Sequence, residues 1–127
     1  MLVENIMTRD GRHLYLKRYV LFKTKWLRIY IHNFKYHDDD LYLHDHPFDC
    51  FKFILSGGYV EELPGGEFKY RQPGHNKILK GTQLHRIHCV FPHTWTLFIG
   101  FKHYRKWGFQ TEDGWVESSE YLKERKK

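Results

Sequence analysis

Short runs of apolar and aromatic residues alternate with turn signals along the chain, at intervals of roughly eight to twelve residues. Turn-forming residues are concentrated at Gly57-Gly58, Pro64-Gly65-Gly66, Pro73-Gly74 and Asp113-Gly114. Between the turns, the pattern predicts strands over residues 13–22, 26–33, 49–55, 59–62, 68–71, 86–91, 95–101 and 107–110. No long segment has a helical period, but Ser118 or Ser119 could cap a short, charged helix over Ser118–Lys127.

Composition strengthens the prediction of an all-β fold. Aromatic residues make up 18% of the chain, and flat or β-branched side chains pack well on strands. At 127 residues the chain is long enough to bury one core. We therefore expect one domain spanning residues 1–127, built as a sandwich or a small barrel.

Charge does not indicate a nucleic-acid partner. The net charge is +6, but residues 123–127 alone contribute half of it, and no nucleic-acid-binding motif accompanies the remaining basic residues. No apolar run approaches the ~18 residues of a membrane helix, so no membrane partner is expected. The two cysteines, Cys50 and Cys89, are too few for a disulfide framework, which fits a cytoplasmic protein.

The candidate chemistry is concentrated in Leu43-His44-Asp45-His46-Pro47-Phe48-Asp49-Cys50, with His85 following the Gly81 turn. Alternate residues of a strand share a face, so His44 and His46 can point into one cavity, where a loop brings His85. An H-x-H pair alone means little, because ten histidines give about 0.8 such pairs by chance. Its context, with Pro47 behind it and Gly57-Gly58 closing the next strand, makes it informative.

These motifs resemble those of the cupin superfamily, whose first motif combines H-x-H with a later glutamate and glycine. A more specific resemblance, to small bacterial and phage cupins, rests on an HDHP(W/F)D segment followed by a GGY turn. Its downstream elements match Leu84-His85-Arg86, Trp95-Thr96-Leu97-Phe98 and Trp107-Gly108-Phe109. The resemblance implies a double-stranded β-helix, or jelly-roll barrel, with a metal held inside near one end.

The chain departs from the cupin pattern at the glutamate, where Cys50 or Phe51 stands instead. Asp49 is the nearest acid. Since burying Lys52 would be costly, we expect Phe51, Phe53 and Leu55 to face inward together with Asp49. A one-residue shift at Pro47 would then reconcile Asp49 with the histidines. Cys50 is the alternative fourth ligand, and Asp49 could instead orient a histidine.

The predicted metal ligands are therefore His44, His46, Asp49 and His85. Iron(II) is favoured, and manganese, nickel or zinc would also suit three imidazoles and a carboxylate. The resemblance implies an enzyme acting on a small polar molecule, with a dioxygenase-like reaction preferred. A sugar isomerase or epimerase and a non-catalytic binding protein are the alternatives. We expect a small-molecule substrate or ligand, and a homodimer is an open alternative.

Overall fold

The computed structural model describes residues 1–125 and consists mainly of antiparallel strands. Their order is β1 (Leu2–Met7), β2 (Leu14–Lys23), β3 (Leu27–Phe34), β4 (Leu43–His44), β5 (Cys50–Ser56), β6 (Tyr59–Leu63), β7 (Glu67–Arg71), β8 (Asn76–Leu79), β9 (Arg86–Val90), β10 (Thr94–Phe101), β11 (Gly108–Thr111) and β12 (Gly114–Glu117), followed by helix α1 (Ser118–Arg125). The predicted all-β fold with a short C-terminal helix is confirmed. Residues 126–127 of the predicted helix lie outside the described residues.

Each predicted strand is present with its ends shifted slightly, whereas β1, β4, β8 and β12 were not predicted. These four are short or lie at a sheet edge, so their sequences carry little alternation. Strand β4 contains only Leu43 and His44, and its backbone is fixed by pairing with β11. Tertiary pairing, not local pattern, creates this strand.

The strands form three sheets that enclose a cavity. The largest has the order β1-β2-β3-β10-β5-β8, and the two smaller sheets are β12-β11-β4 and β7-β6-β9. An isolated antiparallel bridge between His44 and His85 joins the two smaller sheets. The two smaller sheets are thus connected at His44 and His85, two of the predicted metal ligands.

The hydrophobic core comprises Leu16, Phe34, Ile54, Tyr59 and Ile87. Ile54 is only 1% exposed and Leu55 is 47% exposed, so the even-numbered face of β5 points inward. The prediction that Phe51, Phe53 and Leu55 face the interior was therefore wrong. It assumed that a lysine stays outside, but Lys52 lines the cavity.

The Gly57-Gly58 turn between β5 and β6 requires glycine at both positions. Gly57 has φ +73° and Gly58 has φ +127°, conformations that side chains rarely adopt. A Cβ atom on Gly57 would lie 2.4 Å from Thr94 Oγ1. Thr94 in turn accepts a hydrogen bond from Gly58 N, at 3.0 Å. This close approach fixes where β6 begins.

No helix among residues 1–125 is long and apolar enough to cross a membrane.

Candidate metal centre

Three histidine rings converge on one wall of the cavity. The ring centroid of His44 lies 5.1 Å from that of His46 and 5.1 Å from that of His85. The centroids of His46 and His85 are 5.0 Å apart, and their Nε2 atoms are 3.5 Å apart. One nitrogen from each ring lies within 4.8 Å of the others. Three of the four predicted ligands are therefore brought together.

The backbone explains why these rings meet. His44 N donates to His85 O at 2.9 Å, and His85 N donates to His44 O at 3.0 Å. Residues paired in this way in an antiparallel ladder project their side chains on the same side. His46 lies two residues beyond His44 and shares its face. Its backbone is held by a hydrogen bond from His46 N to Gly81 O, at 2.9 Å.

Burial keeps the three imidazoles neutral. The pKa values of His44 and His46 lie well below the usual 6.5, mainly because burial disfavours the charged form and secondarily because His85 is close. Burial and the Lys52 ammonium also lower the pKa of His85, against the opposing effect of Glu61. Neutral imidazoles can bind a metal without first losing a proton.

The spacing of the His46 and His85 Nε2 atoms fits a shared metal ion. Two nitrogens that share one ion at about 2.1 Å lie roughly 3.0–3.4 Å apart, close to the 3.5 Å between the His46 and His85 Nε2 atoms. His44 Nδ1 and His46 Nδ1 are buried and have no hydrogen-bond partner among the described residues. Buried polar atoms are normally satisfied, so the cluster has bonding capacity that the protein does not use.

Glu61 orients His85 from behind. Its Oε2 lies 2.6 Å from His85 Nδ1, and its Oε1 accepts a hydrogen bond from Arg71 Nε at 2.9 Å. Although burial opposes its charge, His85, Lys52 and Arg71 hold the pKa of Glu61 far below its usual range, so it stays ionised. A carboxylate on Nδ1 fixes the tautomer that presents Nε2 to the cavity.

Asp45, between the two histidines, ties their segment to the barrel. Its Oδ1 accepts a hydrogen bond from Gly108 N at 2.7 Å, and its Oδ2 accepts one from Trp115 Nε1 at 2.9 Å. Arg105 forms an ion pair with Asp45 at 3.1 Å and donates to His46 O at 2.9 Å. Asp45 thus points away from the cluster and holds the H-x-H backbone rigidly in place.

Asp49, the predicted fourth ligand, lies outside the histidine cluster. Its Oδ1 accepts hydrogen bonds from Gly81 N and Tyr104 Oη, both at 2.7 Å, and Lys80 Nζ lies 3.6 Å from its Oδ2. The assignment of Asp49 is corrected because β5 has the opposite face inward. Asp49 instead joins the histidine segment to the Gly81 loop. Cys50 is buried on the inward face, but it does not belong to the cluster either.

The cluster opens into a cavity of about 280 Å³. Apolar side chains cover much of the cavity wall, and three of the described cationic side chains also line it. Among the lining residues are Ile6, Leu16, Phe34, Ile87, Phe98, Arg9, Arg18 and Lys52. This volume lies near the lower end of the roughly 300–1,000 Å³ usual for ligand pockets. The cavity therefore suits a small molecule.

Sequence reasoning missed Glu61 and Lys52. A signal for Glu61 was present, since it shares strand parity with Tyr59, and both are buried, at 5% and 3% exposure. Lys52 shares a strand face with Cys50 and Ile54, which turn inward. The prediction placed this face outside because burying an ammonium group is costly.

No protein-family model matches the sequence, and no curated protein matches it. Several solved structures match in fold. KdgF from Halomonas sp. is 14% identical with a TM-score of 0.60, over 82% of this chain and 90% of KdgF. An RmlC-like cupin from Shewanella frigidimarina is 19% identical with a TM-score of 0.56, over 82% of this chain and 85% of that one.

The iron(II) form of HppE also matches, with 13% identity and a TM-score of 0.59. That match covers 79% of this chain but 56% of HppE. Identities this low show the fold alone. The chain therefore has the cupin jelly-roll fold.

Proposed function

We propose that this protein is a metal-dependent enzyme that acts on a small molecule inside the barrel. One observation carries the proposal: three neutral histidines, backed by the Glu61 carboxylate, converge on the wall of a cavity with room for a small ligand. A fold of this size closes its core with apolar side chains, so it has little need of a metal for stability. The cluster is better explained by chemistry.

His44, His46 and His85 would hold the ion. Three protein ligands leave positions for substrate and water, which is typical of catalytic rather than structural sites. Iron(II) is our preferred metal, supported by the nitrogen-rich ligand set and by the shared fold with HppE, whose matching structure is its iron(II) form. Manganese, nickel and zinc fit the same donors. When bound, the metal would supply Lewis-acid or dioxygen chemistry.

The protein's own residues prepare this site. Glu61 holds the His85 ring and keeps its Nε2 directed into the cavity. Asp45 and Arg105 fix the backbone that carries His44 and His46. Apolar side chains such as Leu16, Phe34 and Ile87 cover part of the cavity wall and would strengthen electrostatic interactions there by limiting the access of water. We favour a dioxygenase-like reaction because the preferred metal, iron(II), would supply dioxygen chemistry.

A non-catalytic binding protein is the alternative from a different class. It would use the same cavity without turnover, and the fold does not distinguish the two. A sugar isomerase or epimerase would need an acid and a base at the cavity. Tyr59 lines it, but burial raises its pKa above the ordinary 10.0 and weakens it as an acid.

Exposure of anaerobic iron(II)-loaded protein to nitric oxide tests the oxygen-activating role. We expect the electron paramagnetic resonance signal of an iron–nitric oxide adduct, and the His85→Ala variant should lack it. Absence of the signal in protein that retains one iron per chain would contradict an open iron site and favour the binding protein.

A further inference from the structure

Lys52 is a charged side chain on the inward face of β5, between the buried residues Cys50 and Ile54. It lines the same cavity as the histidine cluster. An ammonium group inside a barrel is costly unless an anion compensates it. The position of Lys52 therefore calls for an account of its counterion.

No described carboxylate forms an ion pair with Lys52, although the charges of Glu61 and Asp38 favour its protonated form. Among the described side chains, none forms a hydrogen bond or an ion pair with Lys52. The other two cations that line the cavity are paired: Arg9 with Asp40 at 2.5 Å, and Arg18 with Glu4 at 3.6 Å.

The acids that line the cavity are committed to other groups. Asp38 accepts hydrogen bonds from Tyr15 Oη at 2.6 Å and from Ile87 N at 2.7 Å. Asp39 accepts hydrogen bonds from the backbone N–H groups of Arg9 and Asp10, at 3.2 and 3.1 Å. Asp38 therefore acts on Lys52 through its charge and makes no hydrogen bond to it.

The metal centre would add positive charge to the same space. Three neutral imidazoles bring no negative charge to a divalent ion, and Glu61 already bonds His85 and Arg71. Burial lowers the pKa of Lys52, but Tyr59, Cys50, Glu61 and Asp38 together raise it above its ordinary 10.5, so Lys52 remains protonated although it has no direct ion pair. A ligand that carries negative charge would compensate both the ion and the ammonium.

We propose that the cavity binds a small organic anion, whose negative group pairs with Lys52 while its apolar body contacts Phe34 and Phe98. This inference rests on the proposed function, because it names the substrate class of the same site. The apolar wall favours a ligand with an apolar organic part, and the Lys52 ammonium favours a ligand with a negative charge. The cavity of about 280 Å³ limits the ligand to a small acid.

Benzoate and its neutral isostere benzamide provide the test by calorimetric titration of both metal-loaded and metal-free protein. Wild-type protein should prefer benzoate by about tenfold to a hundredfold, as expected for a hydrogen bond to a charged group. The Lys52→Met variant should lose this preference, and Lys52→Arg should keep most of it. Inorganic phosphate should compete with benzoate only weakly because it has no apolar body.

Lys77→Met is the matched control. Lys77 pairs with Lys52 across β8 and β5 but does not line the cavity, so its loss removes the same charge without removing the proposed contact. Equal affinities for benzoate and benzamide in wild-type protein, or a preference that survives in Lys52→Met, would overturn the inference. If phosphate binds as tightly as benzoate, the proposed contact between an apolar ligand body and the cavity wall is contradicted.

Elemental analysis of the same samples separates the two proposals. Failure of wild-type protein to bind metal would count against the proposed function, whereas the benzoate preference of metal-free protein reports on Lys52 alone.

Discussion

Glu61 Oε2 and His85 Nδ1 lie 2.6 Å apart, in a buried contact that faces away from the cavity. A carboxylate in this position fixes the imidazole and increases its basicity as a ligand. We predict that Glu61→Gln weakens metal binding by about 10- to 100-fold. Competition with a chromogenic chelator measures the change directly.

Glu62→Gln is the control for that variant. Glu62 is adjacent in β6 and pairs with Arg86 at 3.3 Å rather than with His85. Its substitution should leave metal affinity unchanged. Equal losses in the two variants would mean that Glu61 acts through general charge and not through His85.

Asp49→Asn should weaken the fold while leaving metal stoichiometry unchanged. Its carboxylate accepts hydrogen bonds from Gly81 N and Tyr104 Oη, which lowers the pKa of Asp49 and joins two loops. Because Asp49 is partly exposed, we expect a loss of about 1 kcal/mol in the free energy of unfolding. Urea titration and elemental analysis of one preparation test both parts. Loss of the metal would return Asp49 to the ligand set.

Acid should destabilise the metal-free protein below about pH 6.5. Burial lowers the pKa of His32 from 6.5 to about 3, so between these values the unfolded chain takes up a proton that the folded state does not. Stability is therefore present above pH 6.5 and lost as pH falls. This difference at His32 should lower the free energy of unfolding by about 1 kcal/mol as the pH falls from 7.5 to 5.5.

His32→Phe isolates one of these contributions. The His32 ring lies within 6 Å of Phe34 and Phe98, at 5.9 and 5.2 Å between centroids, so a phenyl ring suits its surroundings. The drop in unfolding free energy between pH 7.5 and 5.5 should shrink by about 1 kcal/mol in this variant. It should be unchanged in His88→Gln, whose side chain is exposed. An undiminished drop in His32→Phe would refute the account of His32.

Gly57→Ala should destabilise the protein much more than Gly65→Ala. Both glycines have positive φ, +73° and +86°, so alanine is strained at either position. An added Cβ meets Thr94 at Gly57 but nothing within 4 Å at Gly65. Thermal unfolding should show a cost of about 1 kcal/mol for Gly65→Ala and clearly more for Gly57→Ala. Equal costs would show that Thr94 moves aside freely.

The sequence predicted most of the sheet because turn signals and alternation mark long, half-buried strands such as β3 and β10. It did not predict β4, since a strand of two residues exists only through its partners. The three histidines were found because strand parity and a loop place them together.

Asp49 was misplaced for a physical reason. The prediction took the transfer cost of Lys52 as decisive, but the structure places this ammonium inside, beside the cluster. A residue kept for a ligand can violate the hydrophobic pattern. Glu61 was missed because its role depends on a cross-strand neighbour, which a single strand does not reveal.

Metal stoichiometry tests the central claim most directly. Wild-type protein, purified without chelator or reconstituted anaerobically with iron(II), should contain about one transition-metal ion per chain, since three convergent imidazoles form one site. His44→Ala and His85→Ala should each lose it, while His88→Gln should retain it. Folded wild-type protein with no metal after reconstitution, or histidine variants that bind as much as wild type, would contradict the site.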